Sequence, residues 1–128
     1  MEYLSANQII FINQAIVSVF NEPFAIRDSS TLFLITETVR KRFNFENKKD
    51  SLAHKAAFLI WEITDRHIFA EGNKRTGLIA GLTFLKINGF ALSPKKLSQE
   101  KLSELEWAVA KKEIGIKKLV KIIKESLS

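Results

Sequence analysis

Asn73-Lys74-Arg75-Thr76-Gly77-Leu78-Ile79-Ala80-Gly81-Leu82-Thr83-Phe84-Leu85-Lys86-Ile87-Asn88-Gly89 is apolar on nearly every side from Leu78 to Leu85. That is the pattern of a helix buried all round, the centre of a bundle rather than a surface element. Gly77, Ala80 and Gly81 leave one face thin enough for a neighbour to approach closely. Such an approach accounts for two glycines that each weaken a helix by about 1 kcal/mol relative to alanine. Asn88-Gly89 supplies a C-terminal stop. The run from Gly77 to Leu85 is far shorter than the roughly 20 residues that cross a bilayer, so no membrane span is expected.

Working outward from this helix, the spacing of apolar residues predicts five more. Ser5 can cap a first helix with Ile9, Ile12, Ile16 and Val19 on one face, ending near Asn21-Glu22-Pro23. Asp28 or Ser29 can cap a second with Leu32, Ile35 and Val39, and with Phe43 at its far end. Arg42-Phe43-Asn44-Phe45-Glu46 then alternates apolar and polar residues, which predicts a short extended flap before the polar turn Asn47-Lys48-Lys49-Asp50. Asp50 or Ser51 begins a third helix with Leu52, Ala56, Leu59, Ile60 and Ile63, arriving at Arg66 and His67. Beyond Pro94, Ser98 can cap a fifth with Leu102, Leu105 and Val109, and Gly115 separates it from a sixth with Ile116, Leu119, Ile122 and Ile123. Trp61 and Trp107 fall among apolar neighbours and are expected in the core, and His54 is expected to be structural or exposed. With no strand of ordinary length and no internal repeat, the expectation is all-α: one domain over residues 1–128, about six helices around a central one.

The 128 residues suit a single domain, and 46% hydrophobic with 27% charged residues is ordinary globular composition. The absence of Cys excludes disulfides and thiol chemistry and fits a reducing compartment. A formal charge of +6 favours anionic partners such as nucleotides. Much of the excess lies after Pro94, where nine Lys stand against five Glu, spaced along two helices as a solvated face. Met1-Glu2-Tyr3-Leu4 lacks the basic and then apolar run of a secretory signal, so a cytoplasmic location is expected.

Chemistry is concentrated just before the central helix, in His67-Ile68-Phe69-Ala70-Glu71-Gly72-Asn73-Lys74-Arg75. Neutral imidazole near pH 7 can take a proton from a hydroxyl, although a single His at a helix end is ordinarily a dipole partner. Glu71 could hold Mg²⁺ beside a nucleotide's phosphates, or be a plain surface carboxylate. Gly72-Asn73 permits a left-handed turn whose successive N–H groups form an anion nest. Lys74 and Arg75 oppose the dipole at a helix start, an arrangement that costs stability unless both converge with those N–H groups on a bound anion. Phe69 reads as a structural plug. No Walker A sequence is present.

Together these residues resemble the Fic/Doc family, whose signature runs His-x-Phe-x-Asp/Glu-Gly/Ala-Asn-Gly/Lys-Arg. His67, Phe69, Glu71, Gly72, Asn73, Lys74 and Arg75 fit in register. Thr76-Gly77-Leu78, the ending Phe84 to Gly89 and the length also look like the short Doc, or death-on-curing, branch. The resemblance implies a transferase acting on a hydroxyl of a protein substrate with ATP or another nucleotide triphosphate and Mg²⁺. His67 would be the base and Glu71 the metal ligand. The backbone of Gly72 and Asn73, with the Asn73 side chain, would cradle phosphates beside Lys74. Arg75 would neutralise charge on the transferring group. Phe43, Asn44, Phe45 and Glu46 would be the flap that docks the target as an added strand.

AMP-transferring members have Gly where this chain has Lys74 and a second Arg where it has Leu78. Doc-type members share both departures and present the γ-phosphoryl group instead, acting as kinases on a translation factor such as elongation factor Tu. The resemblance therefore implies a toxin of a toxin–antitoxin system, restrained in trans by a Phd-like antitoxin whose helical tail fills a groove beside the site. Rival readings are AMP or other nucleotidyl transfer in the same fold, a family member that binds partners without catalysis, and an RNA-acting helical module. The last lacks support: Lys49 and Glu62, five residues before His54 and His67, are not the Arg of an Arg-x-x-x-x-His pattern. No aromatic residues interleave with the basic ones either, so nucleic acid is not the expected partner.

Overall fold

The run that begins at Asn73 is helical to Ile87 and buries Thr76, Gly77, Leu78, Ala80, Gly81, Phe84 and Leu85. The computed structural model describes residues 1–127, in which six helices occur: α1 (Ala6–Val19), α2 (Ser29–Lys41), α3 (Lys48–Asp65), α4 (Asn73–Ile87), α5 (Gln99–Ala110) and α6 (Ile116–Ser126). There is no strand among the described residues. Two isolated antiparallel bridges occur, Ile26 with Phe69 and Leu92 with Leu127. None of the described helices is long and apolar enough to cross a membrane.

α3 and α4 are the central pair, with α1 and α5 against α4, and α2, α5 and α6 against α3. The thin face of α4 does what its small residues predict. A Cβ on Gly77 would lie 2.9 Å from the Ile60 carbonyl oxygen, and one on Gly81 would lie 2.5 Å from Ile60 Cγ1. Neither leaves room for a methyl group.

Ser5, Asp28 and Ser98 cap their helices with side-chain oxygens as expected, and Asn47 caps α3, starting that helix earlier than Asp50 or Ser51. All nine Lys after Pro94 are exposed, as a solvated face requires. His54 is a structural residue: its Nδ1 lies 2.7 Å from the Asp50 carbonyl oxygen, so the ring nitrogen donates one turn back along α3.

Three expectations are corrected. On α1 the buried set is Ile9, Asn13, Ile16 and Val17, whereas Val19 is 77% exposed, because at 3.6 residues per turn it lies to one side of that stripe. Trp107 is not in the core; its neighbours Leu105 and Val109 are buried and it points the other way, 51% exposed. The segment from Phe43 to Glu46 is a turn folded back on α3, not an extended flap. Phe43 has φ +64°, its ring lies 5.4 Å from that of Phe58, and the Phe45 ring lies 4.7 Å from His54. Phe45 N–H donates to Ser51 Oγ at 2.8 Å, so local bonds and ring packing replace the partner strand that an alternation this short never finds.

Lys55, which nothing in the sequence singled out, lies on the buried face of α3 and is 0% exposed. Its ammonium donates to the Val39 carbonyl, to the Arg42 carbonyl at 2.8 Å and to Tyr3 Oη at 3.2 Å. A cation at the C-terminus of α2 satisfies carbonyls that the helix leaves without partners, which offsets the burial of its charge.

Candidate active site

Arg66 is the last residue of α3 in helical conformation, and His67 turns the chain with φ +51°. Glycine ordinarily holds that left-handed position after a helix, so a histidine there stores roughly 1 kcal/mol of strain. Its imidazole is exposed and makes no hydrogen bond among the described residues. Nothing in the fold requires a histidine at this turn.

The loop that follows is braced from three sides. Ile68 and Phe69 are 0% exposed, so Phe69 is the plug its type suggested. Asn73 closes a reciprocal pair with Phe69: its Oδ1 accepts from the Phe69 N–H at 3.0 Å and its Nδ2 donates to the Phe69 carbonyl at 2.8 Å. The Asn73 side chain thus holds the loop. From α1, buried Asn13 donates to the Glu71 carbonyl at 2.8 Å and to Thr76 Oγ1 at 3.0 Å, while its own Oδ1 has no partner.

The third brace is an extended segment that ends in α2's cap. Arg27 N–H donates to the Ile68 carbonyl at 2.7 Å and Ala70 N–H to the Ala25 carbonyl at 2.9 Å, around the bridge between Ile26 and Phe69. Because antiparallel residues alternate in direction, the N–H and carbonyl of Ile26 face the opposite, unpaired edge. The strand-like piece beside the motif is therefore residues 24–28, not Phe43 to Glu46. The latter lie near the far end of α3, 13 residues or about 20 Å along the helix from His67 when measured from His54.

Gly72 then opens α4 with φ +76°, and a Cβ there would lie 3.3 Å from Val17 Cγ1 and 3.4 Å from Asn13 Nδ2. No side chain caps α4. The first bonded amide is Thr76 N–H, to the Gly72 carbonyl at 2.9 Å, so the N–H groups of Asn73, Lys74 and Arg75 have no partner among the described residues. Three free donors at a helix start are a ready anion site.

The two cations do not converge on it. Lys74 turns to α5, with Nζ 3.4 Å from Glu106 Oε1 and 4.4 Å from the centroid of the Trp107 ring. Arg75 turns the other way, stacked 3.9 Å over Phe20 with Nη1 3.8 Å from Glu22 Oε1. Carboxylates, rather than an anion, balance both charges against the dipole. Glu22 and Glu106 escaped the sequence reading because nothing local links them to the motif. Asn13 had a signal: four residues after Ile9 and three before Ile16, it falls on the apolar face of α1.

Glu71 is exposed beside the free amides. Among the described residues no three metal-binding side chains come together. One carboxylate next to an anion site is nonetheless the donor set Mg²⁺ uses when phosphates supply the other oxygens. The residues therefore fit a metal that arrives with a nucleotide.

No curated protein matches the sequence. The Fic/DOC family model matches residues 3–85, which run from the approach to α1 through almost all of α4 and include the whole motif. The match covers more than half of the chain, and the chain belongs to the Fic/DOC family, whose members are typically protein-modifying transferases.

Proposed function

We propose that the chain is a Doc-type toxin that moves the γ-phosphoryl group of ATP, or another nucleotide triphosphate, to a hydroxyl of a protein target such as elongation factor Tu. The carrying observation is the set of three unpaired N–H groups at the start of α4, next to an exposed histidine held in a left-handed turn. His67 takes the proton of the target hydroxyl as its oxygen bonds to the γ-phosphorus. The bond from that phosphorus to the bridging oxygen breaks, and the nucleoside diphosphate leaves with the electron pair. The amides of Asn73, Lys74 and Arg75 hold phosphate oxygens, and Glu71 would hold Mg²⁺, which would supply charge neutralisation. Arg75 and Lys74 reach the phosphates by leaving Glu22 and Glu106, exchanges within one side chain's length.

Leu78 supports phosphoryl over AMP transfer. It lies one turn beyond Lys74, 7% exposed against its neighbours, where AMP-transferring relatives of the motif carry a second guanidinium. The target enters as backbone along the free edge of Ile26. A groove of about 430 Å³ beside Arg75, lined by Ile16, Phe20, Leu78, Ile79, Leu82 and Leu102, suits the apolar face of an antitoxin helix held in trans.

The test compares γ-labelled with α-labelled ATP, using the purified chain, Mg²⁺ and cytosolic lysate, with His67→Ala as control. Protein labelled only from the γ-position and only with His67 intact is the expected result. Label from the α-position overturns phosphoryl transfer in favour of nucleotidyl transfer, and no label from either overturns the catalytic reading.

A further inference from the structure

Trp107 is a large aromatic residue at odds with a packing role. Indoles are among the most extensively buried side chains, yet this one is 51% exposed on the side of α5 away from Leu105 and Val109. What touches its ring is charge. Lys74 Nζ stands 4.4 Å from the ring centroid and Lys111 Nζ 5.3 Å. Lys111 follows Trp107 by one helical turn, but Lys74 comes from the motif itself, the second residue of α4. The exposed ring therefore lies within the reach of one lysine side chain from the free amides. One carboxylate, Glu106, pairs with Lys74.

We propose that Trp107 is the stacking platform for the base of the nucleotide whose phosphates occupy the start of α4. The inference rests on the nucleotide-transfer reading above and adds the residue that distinguishes a nucleotide from a bare polyphosphate. The chemistry is an exchange of partners. Lys74 covers the indole and pairs with Glu106 as long as no phosphate competes for it. A triphosphate at the three amides offers Lys74 a denser anion than one carboxylate, and its departure bares a ring face onto which the base slides. The aromatic face accepts any base, so stacking supplies affinity, and Lys111 remains at the ring to meet the anionic remainder of the ligand.

Titration calorimetry of the full chain with ATP and with inorganic tripolyphosphate, both with Mg²⁺, tests this in Trp107→Ala and Trp107→Phe. Trp107→Ala is expected to weaken ATP by about 5- to 150-fold, the effect of losing one stacked base. Tripolyphosphate affinity holds, and Trp107→Phe keeps most of the ATP affinity. Unchanged thermal melting of both variants separates binding from folding, as the exposed ring implies. Equal ATP affinity in wild type and Trp107→Ala, or parallel loss for both ligands, overturns the proposal while leaving the transferase reading intact. Wild-type protein that binds neither ligand overturns both.

Discussion

Replacing Gly77 by alanine tests the packing on which the whole site depends. A methyl group there would meet Thr64 Oγ1 at 2.8 Å and the Ile60 carbonyl oxygen at 2.9 Å. Thr64 can rotate its hydroxyl away. Ile60 cannot move its carbonyl, because that oxygen belongs to the backbone of α3, the helix packed most closely on α4. Relief requires the two central helices to separate by a few tenths of an ångström, with loss of contact along both, and because the obstacle is backbone the cost is about 2–3 kcal/mol, the upper part of the range for overpacking. Alanine returns about 1 kcal/mol in helix propensity. The net expectation is a loss of about 1–2 kcal/mol. With a urea dependence of roughly 2 kcal/mol per molar for a domain of this size, the midpoint falls by about 0.5–1 M at unchanged slope. Thr64→Ala combined with Gly77→Ala should recover only part of the loss, since the carbonyl remains. A midpoint at or above wild type for Gly77→Ala would refute the close helix contact; full recovery in the double variant would assign the obstacle to Thr64 alone.

Other consequences concern the motif, a buried cation and pH. His67→Gly should abolish labelling yet raise stability by about 0.5–1 kcal/mol, because glycine occupies the left-handed turn without strain; a lower melting temperature would mean that the imidazole also supports the fold. Asn73→Ala removes both bonds to the Phe69 backbone and should cost about 2 kcal/mol by urea unfolding, with faster amide exchange at Phe69, whereas unchanged exchange would show that Asn13 and residues 24–28 suffice to hold the loop. Lys55→Met keeps the volume but strands the carbonyls of Val39 and Arg42, so a loss of about 2–3 kcal/mol is expected, and a gain would mean that burying the ammonium costs more than it satisfies. The carboxyl of Asp28 is held below its ordinary value first by the Thr31 hydroxyl, then by the Thr31 amide and Ser30. The unfolded chain therefore binds the proton more readily, so this cap's contribution is present above about pH 3.8 and is lost as pH falls further. Acid titration followed by circular dichroism should show that component in wild type and not in Asp28→Asn.

Much of this could be read from local order. The stretch from Leu78 to Leu85 announced the central helix because period and composition are properties of consecutive residues, although Ile79 is left 41% exposed on its outer side. Ser5, Asp28 and Ser98 announced their caps because a cap bonds an amide three residues away. Phe69 as a plug and the free amides after Gly72 follow from the same short range.

Residues 1–128 thus determined by themselves an all-helical bundle, a central helix and a motif with a histidine, a carboxylate and a glycine turn. Only the tertiary structure decided where the long side chains of that motif go. Lys74 lies on Trp107 and Glu106, Arg75 on Phe20 and Glu22, Asn13 beneath the loop, and residues 24–28 rather than Phe43 to Glu46 along its edge. The physical reason is reach. Helix periodicity and capping are settled within about four residues along the chain, but a charge finds its partner, and an extended piece its neighbour, among groups that folding alone brings together.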